Sequence, residues 1–67
     1  MNTAHNIIPN GTRVSFQYRR HQILGGELVQ GFGVVMDRTV VGGHNAYSIR
    51  PDVGGWVHVR FSGVRAA

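Results

Sequence analysis

The 67-residue chain contains no cysteine and no lysine, has only three acidic residues and two leucines, and holds no long apolar run. Without cysteine, disulfide staples and thiolate metal sites are excluded, so the fold must rest on packing. Without lysine, neither a phosphate-loop lysine nor a Schiff base is possible. The acids Glu27, Asp37 and Asp52 are scattered, which leaves no paired-carboxylate constellation. No apolar stretch approaches the ~20 residues that span a bilayer, and the start Met1-Asn2-Thr3-Ala4-His5 lacks the charged and apolar regions of a signal peptide. The expectation is a soluble, cytoplasmic protein with no membrane contact. The length also excludes a second core or a substrate-enclosing cleft.

What is present is basic and rich in valine and glycine. All seven basic residues are arginines, and the net charge is +4 with the four histidines neutral. Such a surplus on a small surface favours a polyanion or an acidic protein face as partner. Valine outnumbers leucine, a choice that suits a pleated strand and restricts a helix. Glycines at 11, 25, 26, 31, 33, 42, 43, 54, 55 and 63 divide the chain into pieces of strand length. The pattern predicts an all-β meander.

Residues 1–10 read as a flexible N-terminal arm ending in the turn signature Pro9-Asn10-Gly11, with Ile7 and Ile8 tacked onto the core, and residues 11–67 as the folded domain. In Thr12 to Tyr18, Val14, Phe16 and Tyr18 alternate with Arg13, Ser15 and Gln17, as in a half-buried strand. Arg19 to Gly26 breaks the alternation and reads as a long basic loop. A second strand is expected from Glu27 to Asp37, with Leu28, Phe32, Val34 and Met36 inward and a bend at Gly31 and Gly33. Thr39 to Gly43 reads as an outward hairpin loop. Strands His44 to Arg50 and Trp56 to Phe61, joined by the turn formers Pro51-Asp52-Val53-Gly54-Gly55, form a hairpin. A short turn at Ser62-Gly63 then brings Val64 to close the barrel.

If Tyr47, Ile49, Val57, Val59 and Phe61 face the core, Ser48, Arg50, Trp56, His58 and Arg60 share the other face. Guanidinium groups pair with phosphates or base edges, and an indole stacks on an unpaired base, so Arg50, Trp56, His58 and Arg60 form a candidate nucleic-acid surface. The same neighbours also suit a local cross-strand cation–π contact. Arg19 and Arg20, next to His21, are a second basic candidate. His5, His21, His44 and His58 are widely dispersed, so no metal site is expected, and no catalytic residues are evident. Gly31-Phe32-Gly33 lacks the third glycine and following helix of a dinucleotide fingerprint.

The run Gly11-x-x-Val14-x-Phe16, Gly31-x-Gly33-Val34-Val35, Tyr47-x-Ile49, a Pro-Asp-x-Gly-Gly turn, Val57-x-Val59 and Val64 resembles the SH3-like and Tudor-like small barrels, most of all short bacterial Tudor-like domains. The resemblance covers about residues 11 to 65 and implies a five-stranded antiparallel barrel. A Tudor-like aromatic cage would draw on Tyr18, Phe32, Tyr47, Trp56 and Phe61, four of which read as core. The chain is also similar to the plasmid-borne type II dihydrofolate reductases, which assemble as tetramers around a pore. Their V-Q-I-Y strand is met here by Val57-His58-Val59-Arg60, which keeps the apolar positions but not the amide or the tyrosine, and no lysine matches the pore lysine. The expectation is a non-enzymatic binding module without cofactors that contacts nucleic acid or a nucleoprotein complex. The alternatives are a protein-interaction module or homo-oligomeric subunit using Trp56, Val40 and Val41, and an oligomeric reductase-like enzyme.

Overall fold

A computed structural model describes residues 7–20 and 26–67. Five antiparallel strands form one sheet: β1 (Arg13–Arg20), β2 (Glu27–Val41), β3 (His44–Pro51), β4 (Val57–Arg60) and β5 (Val64–Ala66), in the order β4-β3-β2-β1-β5. A 3₁₀ turn, Phe61–Gly63, joins β4 to β5. The order and connections are compatible with the SH3-like architecture expected from the sequence. None of the described residues forms a helix long and apolar enough to cross a membrane.

The 15-residue strand β2 organises the sheet. Glu27 to Val34 pairs with β1, and Gly33 to Val41 pairs with β3, so the strand changes partner around Gly33 and Val34. Directly paired residues in an antiparallel ladder project to one side. Gly33 pairs with buried Val14, and Val35 pairs with buried Ile49. The inward positions of β2 are therefore Val29, Gly31, Gly33 and Val35. This corrects the expectation that Leu28, Phe32, Val34 and Met36 face inward. Val35 is fully buried, whereas Phe32 is 53% exposed and Leu28 and Met36 are exposed as well.

The reason is steric. A Cβ built on Gly33 would lie 2.5 Å from the Arg50 carbonyl oxygen and 2.8 Å from the Pro51 Cα, and one on Gly31 would lie 3.0 Å from Cζ of Phe16. The inner side of the bend has no room for side chains, so the glycines occupy it and the bulkier residues turn out. A bulge with Met36 as the extra residue shifts the register between Val35 and Asp37.

The expected loop from Thr39 to Gly43 is corrected too: β2 runs to Val41 and turns at Gly42 and Gly43 alone, whose φ of 56° and 80° are both left-handed. A two-residue turn of this kind matches the twist of the strands it joins. Arg19 and Arg20, expected in a loop, continue β1 and pair with Leu28 and Glu27. The rest of that connection, including His21, lies outside the described residues. The β3–β4 hairpin has the expected register, with Tyr47 opposite Val59 and Ile49 opposite Val57, although Trp56 precedes the strand and Phe61 opens the 3₁₀ turn.

The core consists of Val14, Phe16, Val35, Tyr47, Ile49, Val59 and Val64, with Ile8, Tyr18, Val57 and Phe61 packed against it. The Tyr47 and Phe61 rings stack at 4.2 Å between centroids. The Tyr47 hydroxyl accepts the Ile8 N–H at 2.8 Å, which satisfies a buried polar atom and ties the incoming chain to the core. Residues 1–6 of the expected arm lie outside the described residues.

Replacing Gly33 by alanine forces a methyl group against backbone atoms. Gly33→Ala should lower the unfolding free energy by at least about 1–3 kcal/mol. At Gly55, where an added Cβ meets nothing within 4 Å, the same change should stay within about 0.5 kcal/mol. Urea denaturation of the two variants checks both.

Candidate functional site

The sheet has an outer surface because every strand alternates. On β3 and β4, the positions opposite the core are Ala46, Ser48, Arg50, His58 and Arg60, and Ser48 pairs directly with His58 and Ala46 with Arg60. Arg50, His58 and Arg60 are exposed, while Ser48 is buried beneath its neighbours. The Ser48 Oγ and His58 Nδ1 are hydrogen bonded at 3.0 Å, which fixes the imidazole on this face and satisfies the buried hydroxyl. Arg50 pairs across the ladder with Val34, which in turn pairs with Arg13. A row of Arg13, Val34 and Arg50 therefore crosses three strands of the outer face. Ser15 extends the face to β5 through its partner Arg65.

Trp56 is 59% exposed and borders a groove between the β1–β2 ladder and the Pro51 to Trp56 turn. The groove has a volume of about 570 Å³ and is lined by Phe16, Tyr18, Arg20, Val29, Gln30, Gly31, Phe32, the turn residues Pro51 to Gly55, Trp56 and Val57. Alternation explains part of its make-up. Tyr18 and Arg20 point to the inner side of β1, where the sheet opens, and Gly31 leaves the space that a side chain would fill. Phe16 and Tyr18, two residues apart on one side of β1, stack at 6.2 Å between centroids.

The predicted residues thus fall into two neighbouring groups. Arg50, His58 and Arg60 lie on the outer face, and Trp56 and Arg20 line the groove. Arg19 does neither: its guanidinium donates to the Gly26 carbonyl oxygen at 3.2 Å and braces the end of the hairpin. Sequence reasoning missed Phe32 and Gln30 as surface-lining residues. The signal was present, since a phenylalanine between two glycines on a bent strand has its neighbours' inner positions empty and its own ring outside.

The turn bordering the groove is held by Asp52. The Arg13 Nη1 and Nη2 atoms donate to its two carboxylate oxygens at 2.9 and 2.6 Å, and the Asp52 N–H donates to the Phe32 carbonyl at 2.9 Å. The Arg13 guanidinium lies 5.7 Å from the centre of the Phe32 ring, a distance at which cation and π-cloud attract. This cluster pins the turn to β1 and β2 and fixes the exposed Phe32 ring. It also neutralises the one acid that lines the groove. Among the described residues no group of three or more His, Cys, Asp or Glu side chains is placed to hold a metal ion, and His5 and His21 lie outside them.

Hydrogen bonding to Arg13 holds the Asp52 carboxyl below the usual aspartate range, and its charge adds to the effect against some desolvation. A depressed folded-state pKa means that this contribution to stability is present above the ordinary aspartate value and is lost as pH falls through the depressed one. Carboxyl-resonance titration by NMR should place the Asp52 midpoint below that of an ordinary aspartate, and Arg13→Gln should return it towards the ordinary value. Compared with protein-family models, curated proteins and solved structures, the chain matches none, so its function must be argued from this surface.

Proposed function

We propose that the protein is a small Tudor-like binding module that contacts nucleic acid, alone or within a nucleoprotein complex, through the outer face of β3 and β4. The observation that carries this reading is the exposure of Arg50, His58 and Arg60 on one face without an acidic partner among the described residues. One ion pair forms among those residues, and it takes up Arg13 rather than any of these three. Glu27 is paired with Arg20 at the far end of β2, and Asp37, which shares the outer row of Ser48 and His58, accepts the backbone N–H of Arg38 and forms no ion pair with Arg50, His58 or Arg60. A net charge of +4 is thus presented largely as free guanidinium.

Arginine suits a phosphate backbone, because its planar fork pairs bidentately with phosphate oxygens and stays charged at any physiological pH. Such contacts give affinity and orientation but no sequence information. The face carries no helix to enter a major groove, so binding should be largely indifferent to sequence.

A second reading is a protein contact through the tip of the β2–β3 hairpin, where Val40 is 64% and Val41 is 42% exposed. Val40 pairs with Asn45, one rung beyond the row Thr39, Ala46 and Arg60, and so projects to the opposite side of the sheet from Arg60, which lets substitutions at Val40 and Arg60 separate the two readings.

Fluorescence anisotropy with labelled oligonucleotides should show affinity falling linearly on a log scale with salt. Arg60→Ala and Arg50→Ala should each weaken binding across sequences and reduce the slope by about one. Val40→Ser should leave both unchanged. Absence of binding at low salt, or a Val40→Ser effect equal to that of Arg60→Ala, rejects the arginine-face reading.

A further inference from the structure

The groove beside Trp56 has a composition that phosphate contacts alone do not use. It combines the half-exposed Trp56 ring with a floor of Phe16, Tyr18 and Val57. Arg20 supplies the charge. Its cross-strand partner Glu27 does not line the groove, and no ion pair joins them. Asp52, the acid that does line it, is held by both nitrogens of Arg13.

Resting on the arginine-face reading, we propose that this groove receives an unpaired base of a single-stranded nucleic acid. The base stacks on Trp56 beside the Tyr18 ring, and an adjoining phosphate meets Arg20. A groove of about 570 Å³ has room for a base that has left its stack. A base buried in a double helix presents no free face, so ring-on-ring contact requires a single strand. Apolar rings with an arginine that forms no ion pair complement an aromatic group carrying a phosphate, and the acid that lines the groove, Asp52, is already paired with Arg13. The turn that carries Trp56 is tied to β1 and β2 through Asp52, so the ring is presented on a braced loop.

Trp56 is the sole tryptophan, so tryptophan emission, excited selectively over the two tyrosines, reports on this groove. The probes are a short oligothymidylate, the duplex it forms with oligoadenylate, and heparin, a polyanion without bases. Oligothymidylate should quench Trp56 saturably, whereas the duplex and heparin should bind without quenching. By anisotropy, Trp56→Ala should weaken oligothymidylate binding by about five- to 150-fold and leave heparin binding unchanged. Trp56→Phe, which keeps a ring, should recover part of the loss. If the duplex and heparin bind but oligothymidylate leaves the emission unchanged, the groove proposal falls and the arginine-face reading stands. Equal weakening of heparin and oligothymidylate by Trp56→Ala has the same meaning. If none of the three probes binds at low salt, the arginine-face reading falls and this proposal with it. Stronger quenching by a proline-rich peptide than by oligothymidylate would assign the groove to a protein partner instead.

Discussion

The contact between Gly33 and the β3 backbone is the constraint on which this small protein depends. One strand, β2, pairs with β1 along its first half and with β3 along its second, and Gly33 takes part in both ladders. Where a strand changes partner, the two halves of the sheet fold towards each other, and their backbones can approach only if the inner position has no side chain. The gap left for a Cβ at Gly33 is smaller than a carbon atom requires. So short a chain can enclose Val14, Val35, Tyr47, Ile49 and Val59 almost completely because this approach is possible.

That constraint also shapes the surface. Since the inner side of the bend is taken by glycine, the aromatic residue between the glycines is turned outward, and Phe32 becomes a half-exposed ring. An exposed ring costs hydrophobic stabilisation, and here the loss is offset by the Arg13 guanidinium lying near it and by the Asp52 carboxylate that orients the guanidinium. The same cluster brings the Pro51 to Trp56 turn against the β1–β2 ladder and so makes one wall of the groove. Fold closure and groove formation are two consequences of one backbone approach.

The parts of this arrangement that were legible in the sequence are those in which bulk and burial agree. Tyr47, Ile49, Val57 and Val59 alternate cleanly, each pairs with another apolar residue, and the hairpin register follows from them. On β2 the rule inverts. Phe32, Val34 and Met36 are the larger set, yet the inward positions belong to glycine and valine, because a backbone clash outweighs the gain from burying one more ring. The Met36 bulge hides the parity further, since a single extra residue exchanges inside for outside beyond it. The two-residue turn at Gly42-Gly43 was masked by the valines before it, which continue the ladder instead of leaving it. At the candidate site, alternation grouped Trp56 with Arg50, His58 and Arg60 on one side. Trp56 instead lies in the turn before β4, where period two no longer applies, and its groove is completed by Tyr18 and Arg20 from a distant part of the chain.

The two surfaces differ in the range of the forces they exert, and this gives the proposed function an internal logic. Free guanidinium groups act over about 8 Å at physiological ionic strength, so a polyanion is attracted before it is in contact and is held in many registers. Stacking acts only at contact and needs a fixed ring. The Arg13–Asp52 pair serves this second requirement, because an arginine bound bidentately to a carboxylate adds little to the long-range field but ties the turn that carries Trp56 to β1. Of the seven arginines, then, Arg13 and Arg19 are engaged in shaping the scaffold, through Asp52 and the Gly26 carbonyl. Arg50, Arg60 and Arg20 remain available on the outer face and in the groove. A module built in this way would capture nucleic acid by charge and retain the single-stranded part of it by stacking, which assigns the distinction between strands to the groove and not to the basic face.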